Sequence, residues 1–504
     1  MLNHLRKSWN EKPLAFILWM AFLIRLVSVI FSKGFGWHDD HFLVIEAAGA
    51  WADGTDYNNW LPGSGATQPD GHSYFYSGIH FVIFKLMNLV NMHDPQTKMY
   101  FIRLFHALFS LLIVYYGYKI VRKFSNETSA KIAGVLLALY WFMPFLSVRN
   151  LVEFVTIPFL MWGCWKIIDN EKKSAWIFFL SGIILGLAVS IRFQSAIMVA
   201  GILLALIIQR QFRALILVGL GSLICFCAIQ IPFDYFIWKR PFAEFGEYVK
   251  YNIANANGYG KNAWYSYLLL IGGMLIPPVS LFLFFGFLRI WKKHLLLFLP
   301  SFLFLVFHSY FPNKQERFIL TIVPFIIILG VIGWNDFKER SVFWSNHKKL
   351  LKGCIVFSVV INFILLPFVS TMYSKRSRVE SMVYLSRYPG ISNILIEDRR
   401  HETAKMPPFF YLGQWIHSQE ISQTYHFDPP APGTPLTYSN KTIQQFVLFC
   451  EDYDLEKRVS DIKKKFPDLT YETTIAPGFI DDLLFKLNPK NANQTIYIYR
   501  TVKF

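Results

Sequence analysis

With 504 residues, of which 54% are hydrophobic and only 16% charged, the chain falls well short of the roughly 25% charged residues of soluble domains. Its net charge of +17 lies largely in short loops between apolar stretches rather than on helices interleaved with aromatics, which excludes nucleic acid as a partner. Five cysteines, four of them in apolar segments and Cys450 alone in the tail, build neither a disulfide framework nor zinc-ligand spacing.

A membrane span needs about 20 mostly apolar residues. Such stretches are expected near 14–32, 101–120, 132–148, 151–168, 175–191, 194–209, 213–232, 264–288, 294–311, 317–334 and 351–371. The first follows Arg6, Lys7 and Lys12, has no small-residue cleavage site after it, and reads as an uncleaved span. Segment 74–92 is apolar over a shorter length and carries Lys85, which fits an interfacial or re-entrant helix.

Loop charges then orient the chain. Arg122, Lys123, Lys131, Lys172, Lys173, Arg210, Arg213, Arg289, Lys292, Lys293, Lys338, Arg340, Lys348 and Lys349 alternate to one side with the N-terminus, which the positive-inside rule makes cytoplasmic. The long segment 33–100, the turn at Arg149, Arg192, the loop 233–263, the stretch 311–316 and the tail face the other way.

From about Ser374 charges return and apolar runs shorten. NILIED (393–398), QFVLFCE (445–451) and QTIYIYRTVKF (494–504) read as strands, and DLEKRVSDIKKKF (454–466) as an amphipathic helix. Pro429, Pro430, Pro432, Gly433 and Pro435 mark a loop between them. The expected architecture is an all-α polytopic membrane domain over 1–373, with about eleven transmembrane helices plus interfacial ones, then a small extracytoplasmic α/β domain over 374–504.

The polar residues gather on one face. After the first span comes GWHDDHFLVIEAAGAWADG (36–54), where Asp39 and Asp40 are flanked by His38 and His41, with Glu46 beyond. Paired carboxylates at a membrane surface suit general-base work, because burial or a like-charged neighbour raises one while a cation holds the other ionised. A solvated loop and a cation site are the competing readings, although four consecutive residues cannot all converge on one ion. Arg149, Glu153, Arg192, Asp234, His308, Lys314, Glu316 and Arg317 sit at span ends on the same side. Each is explicable alone as a snorkelling or structural charge. Together they form a cationic cluster suited to an anionic lipid headgroup.

In order, these blocks resemble the family 22 glycosyltransferases of the GT-C superfamily, the Alg9-like and GPI-type mannosyltransferases. Arg25 followed by HDDHFLVIEAA is similar to that family's H-P-D-E block, with Asp39, Asp40, Phe42 and Glu46 in the matching places. HSYFYSGIHF (72–81) resembles its R-S-x-x-x-P entry but lacks the Arg and the Pro. FIRLFHALFS (101–110) and RNLVEF (149–154) look like the next two blocks. In the loop 233–268, Asp234, Asn252, Gly258, Gly260, Trp264 and Tyr265 match, and in HSYFPNKQERFILTIVPF (308–325) so do His308, Lys314, Glu316, Arg317 and Pro324, with Asn313 replacing a His.

The resemblance implies an inverting hexosyltransferase that takes a sugar, commonly mannose, from a polyprenyl- or dolichyl-phosphate donor. The acceptor would be a glycan or lipid-linked molecule. Asp39 is then expected as the base, with Asp40 orienting it. Lys314, Arg317, His308 and Arg192 are expected on the donor phosphate, and Glu46, Asn252, Trp264 and Tyr265 toward the acceptor or sugar. A lipid monophosphate leaving group makes metal non-obligatory, while remaining compatible with a divalent cation. The expected location is a bacterial inner membrane or the ER membrane, with the site extracytoplasmic and membrane lipids as surroundings. A GT-C transferase moving aminoarabinose or another hexose onto lipid A or protein is the nearest alternative. A lipid or glycan transporter would instead need charges at mid-depth and half-to-half symmetry. A non-catalytic assembly subunit would need Asp39 to be dispensable.

Overall fold

The computed structural model describes residues 2–256, 258, 262–426, 444–488 and 494–501. Gly260 and the Pro429–Pro435 stretch lie outside them, so the loop expected there is not described. Short α1 (Leu2–Glu11) leads into α2 (Pro13–Phe31). A π-helical turn, Asp40–Glu46, runs into α3 (Ala47–Ala52), followed by α4 (Phe75–Leu89) and α5 (Pro95–Phe124). Then come α6 (Glu127–Leu139), α7 (Met143–Leu146), α8 (Val152–Ile168), α9 (Ala175–Ile191), α10 (Ser195–Ile208) and α11 (Phe212–Trp238). The helical series closes with α12 (Ala243–Ala254), α13 (Ser266–Met274), α14 (Val279–Arg289), α15 (Leu295–Tyr310), α16 (Val323–Arg340, entered through a 3-10 turn Glu316–Ile322), α17 (Val342–Asn346) and α18 (Lys348–Ser370).

Helices occupy every stretch expected to span. Five of them, Pro13–Phe31, Pro95–Phe124, Phe212–Trp238, Glu316–Arg340 and Lys348–Ser370, are each long and apolar enough to cross a membrane alone. Burial sorts these: 89% of the apolar window leading through α16 is inside the protein against 17% for α18, so α16 is a central helix and α18 a peripheral one.

Contacts divide the chain into two compact units. The first comprises Met1–Phe31, Asn59–Ile79 and Ile102–Thr371. Within it, small residues let helices touch backbone to backbone, the arrangement that favours association where no hydrophobic effect separates helix from lipid. A Cβ on Gly182 of α9 would lie 2.3 Å from the Val218 carbonyl of α11, and Ser222 Oγ donates to the Gly182 carbonyl at 3.0 Å.

Two expected continuous spans, 132–148 and 264–288, are interrupted, the first at Tyr140–Phe142 and the second at Leu275–Pro278. A break inside an apolar bundle orphans carbonyls that water cannot reach, so partners must come from the protein. Here the first break supplies the second: Tyr140 Oη donates to the Leu275 carbonyl at 3.1 Å and Trp141 Nε1 to the Met274 carbonyl at 2.9 Å. Asn362 of α18 accepts from Trp141 N and donates to the Leu139 carbonyl, both at 2.9 Å. Arg25, fully buried in α2, reaches the Leu137 and Ala138 carbonyls at 3.3 and 3.2 Å and Ser110 Oγ at 2.9 Å. Arg25 is therefore the cap of a broken helix.

The second unit comprises Ser32–Asn58, His80–Phe101 and Met372–Phe504. Its elements are α19 (Arg376–Leu385), β1 (Ile391–Glu397), α20 (Phe409–Leu412), β2 (His417–Ile421), β3 (Gln444–Cys450), α21 (Leu455–Lys465), β4 (Thr470–Ile475), α22 (Phe479–Leu487) and β5 (Ile496–Thr501). The sheet order is β2-β1-β3-β5-β4, with β1 parallel to both neighbours and β5 antiparallel to β3 and β4. Strands β1, β3 and β5 and helix α21 fall where the sequence patterns put them; β2 and β4 carry no clear period-2 alternation to mark them in the sequence. Leu395, Val447 and Phe449 pack against Val459, Ile462 and Phe466 of the α21 region. Gly34 makes an isolated bridge with Ser374; its φ of +74° and a Cβ that would sit 1.9 Å from the Ser374 carbonyl leave room for glycine alone.

Candidate active site

In the second unit, the turn carrying the paired carboxylates is folded around Asp40. That side chain is 3% exposed and accepts the N–H groups of Trp37 at 2.8 Å and Gly36 at 3.2 Å, so its two oxygens fix the turn from which Asp39 projects. Asp39 itself is half-buried at the entrance of the π-helical turn. Such turns are rare and recur at functional sites because they re-aim side chains within a helix.

The next turn anchors this loop. His41 is stacked between Phe35 (4.5 Å between centroids) and Tyr411 (5.4 Å), and its Nε2 lies 2.9 Å from Glu46 Oε2. Glu46, fully buried, also accepts the N–H groups of Phe409 (2.7 Å) and Phe410 (3.2 Å). Both carboxylate oxygens, expected toward an acceptor, are thus engaged within the protein. His38 stacks on Phe42 at 4.4 Å. Desolvation holds its imidazole below the usual value; Asp39 opposes this, while Arg378, His41 and Lys405 add to it.

In the first unit, three of the four residues expected on a phosphate gather near one cavity. Glu153, fully buried, lies 2.9 Å from Arg192 Nη2 and 3.3 Å from Arg317 Nη1 through a single oxygen. Both guanidinium groups also lie over the Phe318 ring, at 5.2 and 5.1 Å. Gln194 accepts from Arg192 at 2.6 and 3.0 Å, and Gln315 from Arg317 at 2.9 Å, so each fork is oriented by a neighbouring amide. A cavity of about 250 Å³ adjoins them, lined among others by Gln194, Tyr248, Asn252, His308, Asn313 and Phe318. His308 Nδ1 donates to the Phe304 carbonyl (2.8 Å), leaving Nε2 buried without a partner. An atom of that kind at a cavity wall is suited to a ligand hydrogen bond.

Of the remaining expected residues, Lys314, Trp264 and Tyr265 are not part of that wall. Lys314 Nζ donates to the Phe311 carbonyl at 2.7 Å, and burial lowers its pKa. Trp264 and Tyr265 are 66% and 48% exposed, packed edge to face on each other at 5.7 Å and absent from the cavity lining. Asn252 lines the cavity with its Nδ2 engaged to the Tyr248 carbonyl at 2.8 Å.

One cluster was missed. Asp234 and Glu244, both fully buried, are joined where Glu244 N donates to Asp234 Oδ1 at 3.4 Å, and Glu244 Oε2 accepts from Tyr74 N (2.9 Å) and Gln230 Nε2 (3.1 Å). Burial, then the Asp234 charge, push the Glu244 carboxyl up to about 8. Ten residues of separation hid the pair; a buried Glu beside a matched Asp was its only signal. Among the described residues no three His, Cys, Asp or Glu side chains converge as a metal site.

With this geometry in hand, the fold has known counterparts. The chain superimposes over 96% of its length, and 97% of the other's, on ArnT from Cupriavidus metallidurans bound to undecaprenyl phosphate, with a TM-score of 0.62. The apo form of the same protein gives 0.60. At 12 and 13% identity this is a likeness of fold. It defines the class of fold: a helical membrane domain of GT-C architecture with a small sheet-containing C-terminal part.

Within that class the chain belongs to the Alg9-like mannosyltransferase family, which matches residues 16–408. It is similar to GPI mannosyltransferase 3 of Debaryomyces hansenii, 21% identical over 390 residues covering 74% of this chain and 68% of that protein. It is also similar to a probable Dol-P-Man:Man(7)GlcNAc(2)-PP-Dol alpha-1,6-mannosyltransferase of Schizosaccharomyces pombe, 24% identical over 182 residues. That second match covers 35% of this chain and spans about a third (33%) of the yeast protein's length.

Proposed function

We propose that the protein transfers mannose with inversion from a polyprenyl- or dolichyl-phosphate donor to a hydroxyl of a glycan or lipid-linked acceptor, at the extracytoplasmic face of its membrane. The observation that carries this reading is the convergence of Arg192 and Arg317 on Glu153 beside the cavity walled by His308 and Asn252. The named relatives use, or are named for, mannose transfer, which supports the sugar.

In a single displacement the acceptor oxygen attacks the anomeric carbon as Asp39 takes its proton. The bond from that carbon to the phosphate oxygen breaks, and its electron pair leaves on the lipid phosphate. The donor phosphodiester carries one negative charge and the released monophosphate up to two, so charge grows on the leaving group during the reaction. Arg192 and Arg317 answer that growth with forked, charge-assisted donors already oriented by Gln194 and Gln315. Glu153 holds the two guanidinium groups together against their mutual repulsion. His308 Nε2, an acceptor because Nδ1 donates to the Phe304 carbonyl, can take a hydroxyl hydrogen of the bound sugar at the cavity wall. Asp40 and Glu46 act as positioning residues that hold the Asp39 turn. This chemistry needs no metal.

The test is incubation of detergent-purified protein with a panel of prenyl-phosphate sugars, including mannosyl undecaprenyl phosphate and mannosyl dolichyl phosphate. Mannose-specific transfer or donor hydrolysis is expected. Equal inertness toward every prenyl-phosphate sugar, with the protein folded, overturns the reading.

A further inference from the structure

Arg378 of α19 lies in the same unit as the Asp39 turn, and the mechanism above makes no use of it. Its guanidinium sits over Phe35 at 5.3 Å and near Phe42 at 6.0 Å, the aromatic residues that flank the Asp39 turn. Phe42 carries the His38 ring as well, at 4.4 Å, so the cation and the residue preceding Asp39 share one aromatic platform. Arg378 Nη2 donates to the Met406 carbonyl, while Nε is buried with no partner. Among the described residues no carboxylate comes within ion-pair distance of it. The group is withdrawn enough from water for desolvation to lower its pKa to about 10, and it stays charged at neutral pH.

A cation drawn out of water without a direct ion pair or a full set of acceptors is costly, and two buried arginines of this fold avoid that cost. Arg25 is saturated by carbonyls and Ser110, and Arg458 is paired with Glu397 at 2.6 Å. Arg378 has neither arrangement. A recess of about 20 Å³ opens beside it, with Arg378, Lys405 and Asp398 on a wall otherwise mostly apolar (Met382, Ile396, Leu448 and neighbours), and has room for one oxygen-sized group. Asp398 in that wall is already bound to His401 at 2.7 Å. Lys405 is exposed, and with Arg378 it acts on His38 as a positive charge opposed by Asp39.

We infer that Arg378, backed by Lys405, is an anion-recognition subsite on the acceptor side of Asp39, so that the preferred acceptor carries a phosphate or carboxylate close to the hydroxyl that is mannosylated. This rests on the reading of Asp39 as the acceptor-side base. The subsite takes the tip of the anion, one oxygen in the recess and the rest against Lys405, and the bound anion supplies the direct ion-pair partner that the half-buried guanidinium lacks, Glu46 and Asp481 acting on it only from a distance. Neutral glycans would bind the same site without that contribution.

The donor phosphate is the other source of an anion here, and one experiment separates them. Full-length protein in detergent is saturated with undecaprenyl phosphate and titrated with mannose 1-phosphate, with mannose as the neutral control, for wild type, Arg378→Gln and Arg378→Lys. Wild type should bind mannose 1-phosphate in the presence of the lipid and prefer it to mannose at least 10-fold. Arg378→Gln should lose that preference and Arg378→Lys retain part of it, both keeping wild-type affinity for undecaprenyl phosphate. Absence of any mannose 1-phosphate binding to lipid-saturated wild type overturns the inference, as does full preference in Arg378→Gln. Weakened undecaprenyl phosphate binding in Arg378→Gln assigns the residue to the donor and also overturns it. Intact lipid binding that depends on Arg192 and Arg317 leaves the proposed function standing whichever way Arg378 falls.

Discussion

Glu46 accepts the backbone N–H of Phe409 at 2.7 Å, across 363 positions of sequence. The loop that follows the first span is therefore fastened to the segment joining β1 to β2 of the C-terminal sheet, inside one compact unit. A carboxylate at this place is a structural tie whose loss reaches Asp39 through the π-helical turn. That connection separates residues expected to do chemistry from residues expected to hold them.

Glu46→Ala should destabilise the protein by about 3 kcal/mol, because it strands His41 and two buried N–H groups. Thermal unfolding of the detergent-solubilised protein, followed by tryptophan fluorescence, reads the loss. An unchanged melting temperature would show that the tie contributes nothing.

Asp39→Asn should reduce transfer by about 10²–10⁴-fold, the range of a lost general base, with donor affinity unchanged. Asp40→Asn should act differently, since its oxygens bind Gly36 and Trp37: lower stability with a smaller loss of kcat. Stopped-assay kinetics on purified variants distinguish the two, and substantial turnover by Asp39→Asn removes it as the base.

Arg317→Ala should raise donor KM and lower kcat by about 10-fold or more, whereas Lys314→Ala should have a smaller effect, because its ammonium is tied to the Phe311 carbonyl. Glu153→Gln should weaken donor binding without abolishing it, as the two arginines lose their common counter-charge. A reversed order for Arg317 and Lys314 would relocate the phosphate.

Glu244 gives a pH prediction. Its carboxyl is raised from 4.5 to about 8 in the folded protein, so the native state holds more protons than the unfolded chain between those values. Stability should therefore fall as pH rises from about 4.5 to about 8 and level off above. Glu244→Gln should flatten that slope, which melting temperatures across the pH range would measure; an identical slope in the variant places the titration elsewhere.

Chelation should leave turnover unchanged. The proposed leaving group is a lipid monophosphate answered by two arginines, so dialysis against EDTA is expected to preserve donor consumption. Loss of activity restored by added magnesium or manganese would require a metal in the donor site.

The sequence by itself determined the membrane class, the order of the helices, the sheet strands with strong alternation, and which stretches bear polar residues. These follow from local composition: twenty apolar residues span, period-2 patterns pair, and charged loops stay outside the hydrocarbon. Only the tertiary structure decided what each charge does. Arg25 and Arg317 look alike along the chain, yet one caps the broken end of α6 and the other shares Glu153 with Arg192. Glu46 and Asp39 are seven positions apart in the same loop, and burial makes the first a tie and leaves the second half-open. The breaks in two spans, the Asp234–Glu244 pair and the unpaired Arg378 likewise depend on partners far away in sequence. Hydrogen bonding and charge compensation are satisfied in space, and a pattern read along the chain carries no record of which distant group satisfies them.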